Sequence, residues 1–282
     1  MHVFHTVTDF RQWHAQSAGR PLVIVPTMGA LHEGHLDLMR EARTLAGDGG
    51  SVAVSIFVNP LQFGPKEDFA KYPRELEADS AKCASVGVDA IFAPSAEEVY
   101  APDRSVIVLE TKLSKVLCGA SRPGHFDGVC TVVLKLFNIM QPDISVFGKK
   151  DYQQLAIIKR MVRDLNVPVE IVGSETVREA DGLAMSSRNR YLSADERSQA
   201  TALRAGLLKA KEAWQSGEKG GEKLKRLYLE VLKERAPLSR VDYIECTDAD
   251  TLEPAEEVGS NGLMATAVFF GATRLIDNIE LK

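Results

Sequence analysis

The sequence predicts an α/β fold: a Rossmann-like, doubly wound parallel sheet followed by a smaller C-terminal α+β domain. Three observations carry that expectation. Unbroken apolar, β-branched runs alternate with helical patterns through the first two-thirds of the 282 residues, as strands buried on both faces and their crossover helices require. A loop with two histidines and two glycines joins the first such run to a helical pattern. After about residue 176 the order changes to charged helices followed by three adjacent strand-like runs, which marks a separate α+β unit.

Taken in order, "PLVIV" (21–25), "SVAVSIFV" (51–58), "DAIFAP" (89–94), "SVIVLE" (105–110), "DISVFG" (143–148) and "VPVEIVG" (167–173) read as strands. Between them, Leu38, Met39, Ala42, Leu45 and Ala46 share one helical face. Val129, Val132, Val133, Leu136, Phe137 and Met140 form a cleaner stripe. The alternation implies helices on both faces of a mostly parallel sheet. Residues 194–235 are helical and charged, broken by "SGEKGGE" (216–222). "RVDYIECTD" (240–248), "GLMATAVFFG" (262–271) and "TRLIDNIEL" (273–281) then read as strands. The expected domains are 1–176 and 177–282, with the boundary inside Thr176–Asp181.

Composition narrows the function. The apolar fraction of 45% is that of a folded globular protein, and the net charge of −5 gives no electrostatic case for nucleic acid. The start, "MHVFHTVTDFRQWHAQ", lacks the basic and apolar regions of a signal peptide, and no apolar run would span a bilayer. Cys83, Cys118, Cys130 and Cys246 are scattered. They read as reduced thiols of a cytoplasmic protein, not as a disulfide frame or a zinc site.

The stretch "VPTMGALHEGHLDLMREA" (25–42) is the richest in chemistry. A helix N-terminus after a strand offers unpaired N–H groups and a positive dipole end. Gly29 and Gly34 let the backbone approach a ligand, and His32 and His35 can donate to phosphate oxygens. From these residues alone, an exposed turn reads equally well. The stretch resembles the H-x-G-H signature of the nucleotidylyltransferase superfamily. "LAMSSRNRYLS" (183–193) stands where that superfamily carries its second phosphate-binding element. Ser186, Ser187 and Arg188 suit phosphate oxygens, and a polar loop ahead of a helix starting near Ser193 is the alternative.

"FVNPLQFGPKEDFAKYPR" (57–74), "RPGHFDGVCTVVLKLFN" (122–138) and "VFGKKDYQQLAIIKRM" (146–161) complete a resemblance to the pantothenate synthetase family along essentially the whole chain. One departure is Lys149, where the family usually has glutamate in its G-E-K-D motif. The resemblance implies ATP-dependent condensation of (R)-pantoate with β-alanine through a pantoyl adenylate, releasing AMP and pyrophosphate. It implies an ATP site at Met28, Gly29, Ala30, Leu31, His32, Glu33, Gly34 and His35, with His35 the proton donor. Gly148, Lys149, Lys150, Asp151, Val177, Met185, Ser186, Ser187 and Arg188 extend that site. Lys150 and Arg188 join the two histidines as the catalytic set. Gln62 and Gln154 would hold pantoate, with Asn59 and Arg122 as further substrate contacts, whereas His125 lies outside the catalytic set. Mg²⁺ would arrive with ATP, with Asp79 as an outer ligand, and a homodimer is expected.

The rivals are a nucleotidylyltransferase that stops at AMP transfer, an RNA-binding synthetase fragment, and a nucleotide-binding module without turnover. A closing loop is expected around "GPKEDFAKYPR" (64–74), and "GHFDG" (124–128) reads as a turn with Asp127 capping the next helix.

Overall fold

The structure, a computed structural model, describes residues 1–16, 19–65, 67 and 69–282. It divides into two compact units. Residues 1–111, 122–149 and 154–175 form the first; residues 112–121, 150–153 and 176–282 form the second. Lys66 and Asp68 of the expected closing loop lie outside the described residues.

The first unit is built on six strands: β1 (His2–Phe4), β2 (Leu22–Thr27), β3 (Ser51–Ile56), β4 (Ala90–Phe92), β5 (Ile144–Gly148) and β6 (Glu170–Ser174). Their order is β1-β4-β3-β2-β5-β6 and every pairing is parallel. The helices along this part of the chain are α1 (Val7–Ala15), α2 (Glu33–Ala46), α3 (Leu76–Ser85), α4 (Ala96–Val99), α5 (Leu117–Ser121), α6 (His125–Met140) and α7 (Tyr152–Asp164). Alternate strand residues Val23, Val25, Val52, Val54, Ile91 and Val146 pack with Met39 and Ala42 of α2 and Cys83 of α3. Their neighbours Leu22, Ile24, Ala53, Ala90 and Phe92 are equally buried on the other face. There α1 touches α6, and the Phe10 ring lies 5.5 Å from Phe92. The α6 stripe read from the sequence is wholly buried. On α2 the inward set is Leu36, Met39, Ala42 and Ala46; Leu38 is half-buried and Leu45 is exposed.

One expected strand is absent. Residues 105–110 form no ladder, and Val106, Ile107 and Leu109 are 79%, 57% and 56% exposed. The position beside β4 is taken instead by the N-terminal strand β1. The Val108 N–H donates to Thr131 Oγ1 at 2.9 Å rather than to a neighbouring strand.

The second unit carries α8 (Ala194–Ala200), α9 (Ala202–Gln215) and α10 (Gly221–Arg235) with β7 (Ser239–Asp248), β8 (Gly262–Phe270) and β9 (Thr273–Leu281). These strands form an antiparallel meander in the order β7-β8-β9. Leu203, Leu207, Leu224, Tyr228, Met264, Val268 and Ile279 fill its core. Ser193 caps α8 in a reciprocal capping box with Glu196, so the helix start expected there is real.

The sheet order reverses between the parallel neighbours β2 and β5, from which the chain connections proceed to opposite edges of the sheet. Ligands of open α/β sheets bind outside the strand C-termini at such a switch. The histidine loop leaves β2 there, and Gly148–Lys149 leaves β5.

The N-terminal end of α6 is set by close approach. A Cβ on Gly128 would stand 2.4 Å from Leu61 O and 2.6 Å from Gln62 N, both backbone atoms that cannot swing away. Gly128→Ala is therefore expected to cost about 1–3 kcal/mol by overpacking and to displace Gln62. Urea unfolding measures the first effect; an unchanged midpoint would show that the helix moves freely.

Candidate active site

Residues 28–35 form a strained turn with a built-in anchor. Gly29 and Ala30 both have left-handed backbones, with φ of 80° and 50°. For Ala30 that costs about 1–2 kcal/mol. A Cβ on Gly29 would press on Asp79 Oδ2 and Ile56 Cγ2 at 3.0 and 3.1 Å. The buried Asp79 carboxylate answers the strain: Oδ2 accepts the Ala30 N–H and Oδ1 the Leu31 N–H, each at 2.9 Å. Charge-assisted bonds of this kind contribute about 1.5–3 kcal/mol each, so the pair outweighs the strain. Lys82 Nζ donates to Leu31 O at 2.7 Å, and Thr27 Oγ1 accepts the Gly29 N–H at 3.2 Å.

Asp79 was expected as an outer ligand of Mg²⁺ arriving with ATP; in the structure it braces the turn. Both its oxygens face loop amides in the interior, and the described residues contain no group of three or more His, Cys, Asp or Glu able to hold a metal ion. The donor set does not fit a protein-held Mg²⁺.

The anchored turn delivers both histidines to the start of α2. His32 is the N-cap; its Nδ1 accepts the Gly34 N–H at 3.2 Å, while His35 Nδ1 accepts the His32 N–H at 3.3 Å. An imidazole that accepts through Nδ1 carries its neutral-form proton on Nε2. Both rings therefore have Nε2–H as their donor, and their centroids are 4.1 Å apart. Ala30 and Leu31 are both buried, and Asp79 takes the N–H of each. Glu33 is exposed and pairs with Arg40 at 2.6 Å.

Beside this turn sits Gln62, on a tight 3₁₀ turn (60–62) capped by Asn59. Gln62 Nε2 donates to Met28 Sδ at 3.0 Å, which ties the glutamine to the histidine loop. Asn59 was expected among the substrate contacts, but it is 1% exposed and its amide is filled. Nδ2 donates to Gly128 O and Gln62 Oε1, both at 3.1 Å; Oδ1 accepts Leu61 N–H at 3.2 Å and Tyr100 O–H at 2.8 Å. Arg122, the other expected contact, instead grips Glu67 with two bonds of 2.8 and 2.6 Å. Burial disfavours the Glu67 charge, but the hydrogen bonds and charge of Arg122 prevail and hold it below the ordinary carboxylate range.

His125 is closer to the site than its sequence context indicates. Its Nδ1–H donates to Gln62 O at 2.8 Å, and Arg122 Nη1 donates to its Nε2 at 3.0 Å. Asp127 does not cap α6; that helix starts from Gly124, with φ of 79° and no side-chain cap. Lys149, the departure at the family's usual glutamate, forms an ion pair with Glu175. Gly148 closes β5, and Gln154 is half-buried on the first turn of α7.

The second unit holds the remaining expected residues. Lys150 and Asp151 lie on a short turn, and Lys150 O accepts Asn278 Nδ2 at 3.0 Å. Gln153 is buried and fully committed, donating to Leu113 O and Val116 O at 2.7 Å and accepting the Cys118 N–H at 2.9 Å. A small antiparallel hairpin brings Val177 to the serine loop: Met185 N–H donates to Val177 O at 3.0 Å and Glu179 N–H to Leu183 O at 2.8 Å. Ser186 then caps a 3₁₀ turn by accepting the Arg188 N–H at 3.2 Å. Asn189 Nδ2 secures the loop through Glu179 Oε1 at 2.7 Å and Ala184 O at 3.1 Å.

Two organising residues escaped the sequence reading. Asp277 binds Arg178 of the hairpin through two bonds of 2.8 and 2.9 Å, and its neighbour Asn278 holds Lys150. One strand, β9, thus places both the cationic turn and the serine loop. The signal was available: a buried acid and amide inside the apolar run "TRLIDNIEL".

Removing the Asp79 carboxylate would strand two buried N–H groups. Asp79→Ala is expected to lose roughly 2–4 kcal/mol of stability and to loosen the histidine turn. Chemical denaturation checks the value. A variant as stable as the parent would mean that the left-handed turn holds itself.

The chain matches the family model described as pantoate-beta-alanine ligase over residues 2–280. It is 51% identical to the pantothenate synthetase of Fervidobacterium nodosum, covering 100% of both chains. It is 53% identical to that of Akkermansia muciniphila over 92% of each. Among solved structures, the pantothenate synthetase of Thermus thermophilus superposes with a TM-score of 0.92 at 44% identity, covering 100% of this chain and 99% of that one. The pantoate-beta-alanine ligase of Francisella tularensis, complexed with beta-gamma ATP and β-alanine, gives 0.81 at 30% identity, over 100% of this chain and 98% of that one. With the anchored histidine turn, the Gln62 turn and the serine hairpin in place, the match over nearly its whole length shows that this chain belongs to the pantoate–β-alanine ligase family.

Proposed function

We propose that the protein condenses (R)-pantoate with β-alanine at the expense of ATP, yielding pantothenate, AMP and pyrophosphate. A carboxylate is a poor electrophile, so an amine does not displace its oxygen unaided. Attack of the pantoate carboxylate on the α-phosphorus expels pyrophosphate and leaves a mixed anhydride, pantoyl adenylate. The β-alanine amine then attacks the acyl carbon and AMP departs. The observation that carries the assignment of roles is the pair of Nε2–H donors that His32 and His35 hold at a helix N-terminus. Such donors stabilise charge gathering on the phosphates, with His35 as the proton donor. Lys150 and Arg188 add positive charge, Ser186 and Ser187 add hydroxyls, and the backbone around Gly29, Gly34 and Gly148 leaves room for the nucleotide. Asp151 borders the ribose, and Val177 and Met185 border the base. Gln62 and Gln154 hold pantoate.

Mg²⁺ belongs to this reading as a companion of ATP, carried on phosphate oxygens. Four buried, free cysteines suit the reducing cytoplasm. Among the described residues, no helix is long and apolar enough to cross a membrane. A homodimer is part of the same reading, with the exposed Val106, Ile107 and Leu109 run as the surface a second copy covers. Sedimentation should give a dimer mass for the parent and a monomer mass for Val106→Asp with Ile107→Asp. A dimer that survives both changes would clear this segment.

The stepwise chemistry has a direct readout. Labelled pyrophosphate should exchange into ATP when pantoate is present and β-alanine absent. His35→Ala should slow that exchange on the order of 10²–10³. Exchange that requires β-alanine would overturn the adenylate scheme. Parental exchange in His35→Ala would return that ring to a capping role alone.

A further inference from the structure

The hydrogen bonds around Gln62 leave no ambiguity about which way its carboxamide points. Asn59 lies between two backbone groups of fixed polarity: the Leu61 N–H, which only donates, and Gly128 O, which only accepts. Its oxygen must face the first and its nitrogen the second. The same nitrogen reaches Gln62 Oε1 at 3.1 Å, so the Gln62 oxygen is occupied from within the protein. Gln62 Nε2 is then turned the other way, toward Met28 Sδ at 3.0 Å. An amide nitrogen has two hydrogens and sulfur is a weak acceptor, so donor capacity remains there for an incoming oxygen.

The remaining arm of this chain is Tyr100. Its hydroxyl meets Asn59 Oδ1 at 2.8 Å, and because that atom is the oxygen, the tyrosine donates. The ring is 7% exposed and well seated. Phe57 lies 6.1 Å away, and the Arg104 and Lys135 cations stand 5.4 and 5.7 Å from its centroid. Burial pushes the phenol up to about 12 despite Arg104, so the hydroxyl keeps its proton at any working pH.

We propose that Tyr100 is a positioning residue for the reaction: through Asn59 it holds the Gln62 carboxamide with its nitrogen turned toward the substrate. The consequence is orientation. Gln62 turns its nitrogen toward an acceptor, a carboxylate or hydroxyl oxygen, while Asn59 fixes its oxygen on the opposite side. The inference rests on the assignment of Gln62 to pantoate.

The test is a double-mutant cycle on Tyr100 and Gln62, read through the pantoate dependence of pyrophosphate exchange. Tyr100→Phe keeps the ring and its cation contacts and removes one buried hydrogen bond. It should raise half-saturating pantoate roughly 3- to 10-fold, while half-saturating ATP changes less than about twofold. In a Gln62→Ala background the same change should have no further effect on pantoate, because the group that Tyr100 orients is gone. An equal effect in both backgrounds, or an equal rise for ATP, would overturn the positioning role. Unaltered pantoate dependence in Gln62→Ala alone would instead overturn the assignment of Gln62, which separates the two failures.

Discussion

A single buried carboxylate sets the geometry on which the histidine turn of the first unit depends. Asp79 reaches from α3 to two successive amides of a turn that an unsupported chain would avoid. The helix α2 begins where that turn delivers it, and the two imidazoles point where its first turn dictates. The cost of a left-handed alanine is local and small, whereas the bonds that oppose it come from another helix. The histidine turn is therefore fixed by a residue that lies on another helix.

Amide side chains recur in this protein in neighbouring pairs with divided tasks. Gln153 is saturated by backbone groups and Asn59 by two backbone and two side-chain partners, and both serve as internal braces. Gln62 and Gln154, three residues and one residue further on, are less enclosed. An amide can brace because it satisfies donors and acceptors together. Enclosure, which a linear motif does not encode, separates the braces from the amides that keep capacity for a ligand.

Much of the first unit was legible in the chain because its strands are buried on both faces and its helices carry one apolar stripe. β2, β3, β5 and the stripe of α6 all follow from that pattern. The segment 105–110 shows the limit: its composition suits a strand, but β1 already occupies the edge beside β4. Strand propensity is local, whereas a place in a sheet is decided by competition. The site divides in the same way. The H-x-G-H run and the serine loop announce themselves through residue type, while Asp79, Asn59 and Arg122 have partners 40 or more residues away in the chain. Asp277 and Asn278 hint at themselves only as polar residues in an apolar strand.

The position of those two residues has a consequence for biosynthesis. β9 follows every other element in the chain, yet its Asp277 and Asn278 secure Arg178 and Lys150, which are made much earlier. A nascent chain can complete the parallel sheet and its histidine turn while the hairpin and the cationic turn still lack their tethers. The tethers of that hairpin and turn lie on the strand that pairs with β8. In the second unit, the residues that tether Arg178 and the Lys150 turn are therefore among the last to be synthesised.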